Sequence, residues 1–502
     1  MWLPGVIARF ATARMRRTLP GTHDIGTVPG IERPADAVAW NTDPAPRRNR
    51  RLESGRSAFL APGNPAMPLD LPPPLDPALE QDLLEACDAL QPELQANLAT
   101  LVRFPSLMGY EASAQDYMEG LFRGMGLAVD RFEVRDEDLR GMPGYSPPTG
   151  HGQRQDNIVG AHRPRDATGR SLILNGHIDV VPVGAESLWT APPFEPVIRD
   201  GRMYGRGAGD MKAGIAAYIA AFEALRRIGY QPAAPVWLQS VVEEECTGNG
   251  ALACLHRGYR ADAALIPEPF DHSILDAQVG VLWLQVEVLG KPAHVLDVRR
   301  GINAIECAFA LYRGLETLRD EWNAPRCNHR HAAFAHQERP INFNLGKIEG
   351  GEWASSVPTR CVMGIRAGFH PGMTATEAKA AIEERIAEVA AADEKLREAL
   401  IRVSYGGFHA EGFVLDRGLP MMRLLAESHG RVMGSPPAWL ASTATTDARV
   451  FNLYGATPAT CYGPEATFIH GIDESVSLES TRQVTRVLAL FLARWCGVES
   501  RR

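Results

Sequence analysis

Short apolar runs of strand length recur along the chain with helix-length segments between them, and this alternation limits the fold more than any other feature. SLILNGHIDVV (171–181) and PVWLQSVV (235–242) are nearly continuous in apolar side chains, the pattern of strands buried on both faces of a parallel sheet. MKAGIAAYIAAFEALRRIG (211–229) lies between them and reads as a helix. Upstream, 78–102 and 112–125 are helical in pattern and lead into the strand-like LAVDRFEV and DNIVG. The expectation is an α/β protein, mainly a parallel sheet flanked by helices, with its active site at the carboxyl ends of the strands.

A second unit interrupts this pattern after Gly280. VLWLQVEVLG reads as a strand, 302–318 as a helix, FNLGKIEGG and PTRCVMGIRAG as strands, 375–392 as a helix and LIRVSYGG as a last strand. That order, βαββαβ, is a two-layer module of its own. The segment LWLQVEV is compatible with pairing at a sheet edge and also with simple burial. A catalytic domain in two parts, 81–282 and 413–502, is therefore expected around an inserted module at 283–412. Residues 1–80 are expected to form an arm outside the fold: ten of the first 66 residues are Arg with no Lys, and 13 prolines precede residue 78, which disfavours regular structure. Met67 opens a stretch that reads as the natural start of the helical domain. No secretory signal is expected.

Forty-five per cent of residues are apolar and 22% charged, as in ordinary globular enzymes. No stretch approaches the roughly 18 uninterrupted apolar residues of a membrane span, and a net charge of −8 gives no electrostatic reason to expect nucleic acid or membrane as partner. Small molecules fit better. The eight cysteines are scattered without a CxxC pair, which suits reduced thiols in the cytoplasm. Cys246 adjoins an acidic cluster, where a neighbouring carboxylate raises a thiol's pKa and weakens it as ligand or nucleophile.

Five positions at strand ends supply donors for metal. His177 and Asp179 end an apolar strand in NGHIDVVP; residues two apart share a face, so the carboxylate is expected to orient the imidazole. Asp210 follows the glycine-rich GRMYGRGAGD and precedes a helix, where a helix-capping aspartate would also sit. VVEEECTGNGA sets three glutamates, Glu243 to Glu245, at the end of a buried strand; carboxylates gathered there repel one another unless cations compensate. Glu268 in LIPEPF follows a short apolar run. His470 in EATFIHGIDESV lies 293 residues beyond His177, so only the fold unites them. Nitrogen and oxygen donors of this kind suit hard or borderline divalent ions.

Taken in order, NGHIDVVP, GRMYGRGAGDMKAG, VVEEECTGNGA, IPEP and IHGIDESV resemble the zinc-dependent deacylase and exopeptidase family of acetylornithine deacetylase, succinyl-diaminopimelate desuccinylase, aminoacylase and glutamate carboxypeptidase, over roughly residues 83–500. The resemblance implies two divalent ions, Zn(II) before Co(II) or Mn(II): His177 and Glu268 on one, Glu245 and His470 on the other, Asp210 bridging. It implies Glu244 as general base, Glu243 taking that role if the register is one residue earlier, and hydrolysis of an amide by activated water. It also implies that the inserted module is a lid and dimerisation surface, that His294 in GKPAH reaches a partner subunit's active site to stabilise the oxyanion, and that Arg366 in MGIRAGFHPG holds a substrate carboxylate. Gly364 and Ser355-Ser356 depart from the family's pattern around that substrate site. The activity implied is removal of an acyl group from an N-acyl amino acid or related small N-acyl amine. A dipeptidase or carboxypeptidase is the alternative, and an inactive binding protein the remote one.

Overall fold

The computed structural model describes residues 70–149 and 154–501; the expected arm lies, as far as residue 69, outside the described residues. Asp76 caps helix α1 (Pro77–Ala89) by accepting from the Ala78 and Leu79 amides, and Pro77 takes the first helical position, where no amide is needed. Helices α2 (Gln91–Arg103) and α3 (Ala112–Gly124) and strands β1 (Ala128–Glu133), β2 (Asp156–His162) and β3 (Leu172–His177) follow. The chain continues through α4 (Ala213–Arg227), β4 (Val236–Val241), α5 (Asn249–His256) and β5 (Ala263–Ile266). Next come β6 (Gly280–Leu289), α6 (Ala304–Asn323), β7 (Phe343–Gly350), β8 (Arg360–Phe369), α7 (Ala375–Ala392) and β9 (Leu400–Ala410). The last principal elements are α8 (Pro420–Met433), α9 (Ala448–Tyr454), β10 (Ala459–Cys461) and α10 (Leu478–Cys496).

Six strands form the main sheet in the order β1-β2-β4-β3-β5-β10. β4, β3, β5 and β10 run parallel, whereas β1 and β2 run antiparallel at one edge, a mixed arrangement common in large α/β sheets. Alternation across the pleat divides the central strands between two cores. Leu172, Leu174, Leu238 and Leu265 pack with Leu83, Phe222, Leu425 and Phe491 from α1, α4, α8 and α10. Ile173, Ala264 and Ile266 face Leu252 and Phe451 from α5 and α9. Strands covered on both sides explain the unbroken apolar runs of the sequence.

β6 to β9 form a separate four-stranded antiparallel sheet, β7-β8-β6-β9, with α6 and α7 sharing its core. Thr374 and Glu377 start α7 with a reciprocal capping box. LWLQVEV lies in β6 at the centre of this sheet, so of its two readings burial is the one realised. Leu282, Leu284, Val286 and Val288 turn inward while Gln285 and Glu287 alternate away from that core. The sheet edges are β7 and β9. Among the described residues no helix is long and apolar enough to cross a membrane, and all eight cysteines are free thiols.

Candidate metal centre and active site

The carboxyl ends of three adjacent parallel strands converge on one acidic cluster. His177 is the last residue of β3, Glu244 and Glu245 follow β4, and Glu268 follows β5. Asp210 comes from the loop preceding α4, and His470 from the loop between β10 and α10. Close backbone approach makes this convergence sterically exacting. A Cβ on Gly214, in the first turn of α4, would meet the Pro267 carbonyl at 2.2 Å, and one on Gly463 would meet the Glu268 carbonyl at 2.1 Å.

Asp210 is the pivot. Its Oδ1 lies 3.1 Å from His177 Nε2 and its Oδ2 3.3 Å from His470 Nε2. His177 Nε2 is also 3.9 Å from Glu268 Oε1 and 4.0 Å from Glu244 Oε2, while His470 Nε2 is 3.2 Å from Glu245. Donor atoms of His177, Glu244 and Glu268, and likewise of His177, Asp210 and Glu245, all lie within 4.8 Å of one another. Every ligand predicted from sequence is therefore drawn into one cluster.

Burial, then neighbouring acids, push the Glu244 and Glu268 carboxyls well above their ordinary range. Partial desolvation of its ring resists charge on the half-exposed His470, but Glu245 and Asp210 hold its imidazole up to about 11. Glu268 Oε1 is buried without a hydrogen-bond partner. Carboxylates that repel one another, gathered around two imidazole nitrogens, fit divalent cations.

The neighbours of the cluster differ in part from expectation. Asp179 was expected to orient His177 through its carboxylate. Instead His177 Nδ1 meets the Asp179 backbone carbonyl at 2.9 Å, the carboxylate standing 3.7 Å away. The chain turns after β3, and the Asp179 carboxylate faces the next strand's loop, accepting the amides of Glu245 at 3.1 Å and Glu244 at 3.4 Å. It thus straps the acidic turn to β3, and the ring is fixed through the main chain. Glu243 adopts a positive φ of 63° and its carboxylate accepts from Thr247 Oγ1 at 2.5 Å. The Cys246 thiol is buried and pushed up in pKa, first by burial and then by Glu243.

Arg366 and His294 are not brought into the cluster by any described hydrogen bond or ion pair. Arg366, on β8, donates to the Thr443 carbonyl at 2.9 Å. His294 is exposed in the segment between β6 and α6, its Nδ1 accepting the Leu296 amide. Three further residues were missed by sequence reasoning. Asp447 is 1% exposed with neither carboxylate oxygen hydrogen-bonded, and its carboxyl is raised to about 7, foremost by burial. In STATTDARVF it reads as an ordinary aspartate opening a helix. Arg206 and Glu474 form a buried ion pair; both lie inside motifs noted for other residues, and nothing local distinguishes them.

A sequence profile of peptidase family M20/M25/M40 matches residues 173–494. The chain belongs to that family. As an M20 protein it is a metal-dependent amide hydrolase of the deacylase and exopeptidase group whose motifs it carries. It is 28% identical over 440 residues to N-formyl-4-amino-5-aminomethyl-2-methylpyrimidine deformylase of Bacillus subtilis (strain 168), covering 82% of this chain and 97% of that one. The corresponding deformylase of Halalkalibacterium halodurans is also 28% identical, over 442 residues, covering 83% and 97% of the two chains. Among solved structures the M20 fold is shared with the dipeptidase Dug1p of Saccharomyces cerevisiae, at a TM-score of 0.69 and 14% identity over 83% of this chain and 98% of that one. Human carnosine dipeptidase 1 superposes with a TM-score of 0.65 at 16% identity, over 83% and 99% of the chains.

Proposed function

We propose that this M20 hydrolase removes a formyl or comparably small acyl group from a small amine, with two zinc ions at the cluster. His177 and Glu268 would hold one ion, Glu245 and His470 the other, and Asp210 both. The observation that carries this reading is the division of the Asp210 oxygens between the two histidines. Bound divalent ions supply the Lewis acidity that makes a water nucleophilic near neutral pH. Glu244 accepts the proton of the attacking water and delivers it to the leaving nitrogen as the carbon–nitrogen bond breaks. The products are a carboxylic acid, formate in the formyl case, and a free amine. Glu244 is preferred to Glu243 because Glu244 Oε2 faces His177 whereas Glu243 is engaged by Thr247. The formyl group is preferred because two deformylases align over nearly their whole length, while the dipeptidases share the fold.

A second reading, an N-acyl amino acid or dipeptide substrate, is favoured by Arg366, whose part-buried guanidinium suits a carboxylate. The inserted unit carries exposed apolar side chains, Leu296 at 91% and Trp353 at 72% among them, which supports a homodimer with His294 serving the partner's site. The test is an assay of the metal-stripped and zinc-restored chain on N-formyl amines, N-acyl amino acids and dipeptides, with Glu244→Gln alongside. Zinc-restored formate release is expected, and Glu244→Gln is expected to keep its metal and lose roughly 100-fold or more in turnover. Hydrolysis indifferent to metal removal overturns the reading. Cleavage of dipeptides alone selects the second.

A further inference from the structure

The parts of the ligand set are tied together by a buried ion pair that the reaction steps above leave unused. The side chains of Arg206 and Glu474 are each 1% exposed, and Arg206 Nη1 donates to Glu474 Oε2 at 2.5 Å. The other carboxylate oxygen, Glu474 Oε1, accepts the backbone amides of Gly209 at 2.9 Å and Asp210 at 3.0 Å. Arg206 Nη2 reaches outward to the carbonyls of Gly471 at 3.0 Å and Pro182 at 3.3 Å. The Trp189 ring covers the guanidinium with its centroid 5.3 Å away.

One pair thus grips the loop carrying Asp210, the residue next to His470, and the segment that leaves His177. Removing two such ions from water is costly, so a buried pair is weak evidence for stability; here its contacts point to a registry role. His470 needs such an anchor. Its side chain is 53% exposed and its backbone has a positive φ of 61°, so packing alone does little to aim the ring. His177 and Glu268, in contrast, are aimed by β3 and β5.

We propose that Glu474 is a positioning residue which, together with Arg206, sets Asp210 and His470 in register; Asp210 serves both ions, but the ion at Glu245 and His470 depends on the clamp at two of its ligands and is therefore the more sensitive of the two. The inference rests on the two-metal reading above. Metal is not required for the clamp itself, which is formed by the chain's own groups. What depends on it is the affinity of the second ion.

The test is a Co(II) titration of the metal-stripped full chain, with bound ions counted by equilibrium dialysis and followed by visible absorption, for wild type, Glu474→Gln and Arg206→Lys. Gln keeps the shape and an acceptor for the two amides but gives up the charge. Lys keeps a charge to pair with Glu474 but not the fork to Gly471 and Pro182. In each folded variant the ion at His177 and Glu268, which shares Asp210, is expected to weaken only slightly, and the ion at Glu245 and His470 to weaken roughly 10- to 100-fold. Two ions bound to Arg206→Lys with wild-type affinity overturn the proposal, as does equal weakening of both, the mark of a merely structural role. A wild type that takes fewer than two ions overturns the two-metal reading instead, and the wild-type arm separates that failure from the first.

Discussion

Asp447 is a carboxylate with no described hydrogen bond, buried beside Glu244, Glu268 and His177. Its folded carboxyl is raised from 3.8 to about 7, first by burial. A group whose folded pKa is raised contributes stability below its unfolded pKa and loses it as pH rises through the folded one. In the metal-free protein, Asp447 should therefore become a liability between pH 3.8 and about 7. Asp447→Asn, which cannot ionise, is expected to raise the melting temperature of the stripped protein more at pH 8 than at pH 5. A pH-independent difference would show that Asp447 does not titrate in that window. Residues of this kind explain where sequence reading stops. His177, Glu245 and Glu268 are legible because each lies at or just past the end of an apolar strand, where a charged group is out of place. Asp447, Arg206 and Glu474 acquire meaning only when loops more than 200 residues apart meet, as with Arg206 and Glu474. The Asp179 carboxylate was misassigned for the same reason: strand periodicity relates it to His177 but says nothing of the neighbouring turn whose amides it accepts.

At the scale of elements, α4 and the loop after β5 are in backbone contact. Gly214 has no room for a side chain: its Cβ would lie 2.2 Å from the Pro267 carbonyl oxygen, one residue before Glu268. Gly214→Ala is expected to drive this loop from the helix, lower the melting temperature through overpacking worth about 1–3 kcal/mol, and weaken metal binding at His177 and Glu268. Unchanged metal content and melting would show that the loop gives way without cost. The principal elements were largely visible in sequence, since doubly covered strands such as β3 and β4 leave unbroken apolar runs and α7 fills its expected span, 375–392. Strand direction was not visible. β1 and β2 carry strand-like patterns that hold no information on polarity, and the central place of β6 depends on β9, more than 100 residues later.

At the scale of the whole molecule, the reading of His294 as a residue serving the partner's site has a sharp consequence. Glu244→Gln and His294→Ala would disable complementary halves of a shared site. Mixed and re-paired, the two inactive proteins are expected to recover about a quarter of wild-type activity, since half the dimers would be mixed and each would hold one intact site. No recovery, with mixed dimers verified by mass, would show that His294 does not serve the partner's site, and full activity of His294→Ala alone would place it outside the reaction. The spread of the ligands carries a different consequence, one for biosynthesis. Between Glu268 and His470 the chain builds the whole β6–β9 sheet and its helices, so a nascent polypeptide presents crowded acids long before the last histidine of the cluster exists. On the two-metal reading, the ion shared by Glu245 and His470 would then be taken up only after that stretch is made, and metal supply would bear on how much of the newly made protein reaches its working form.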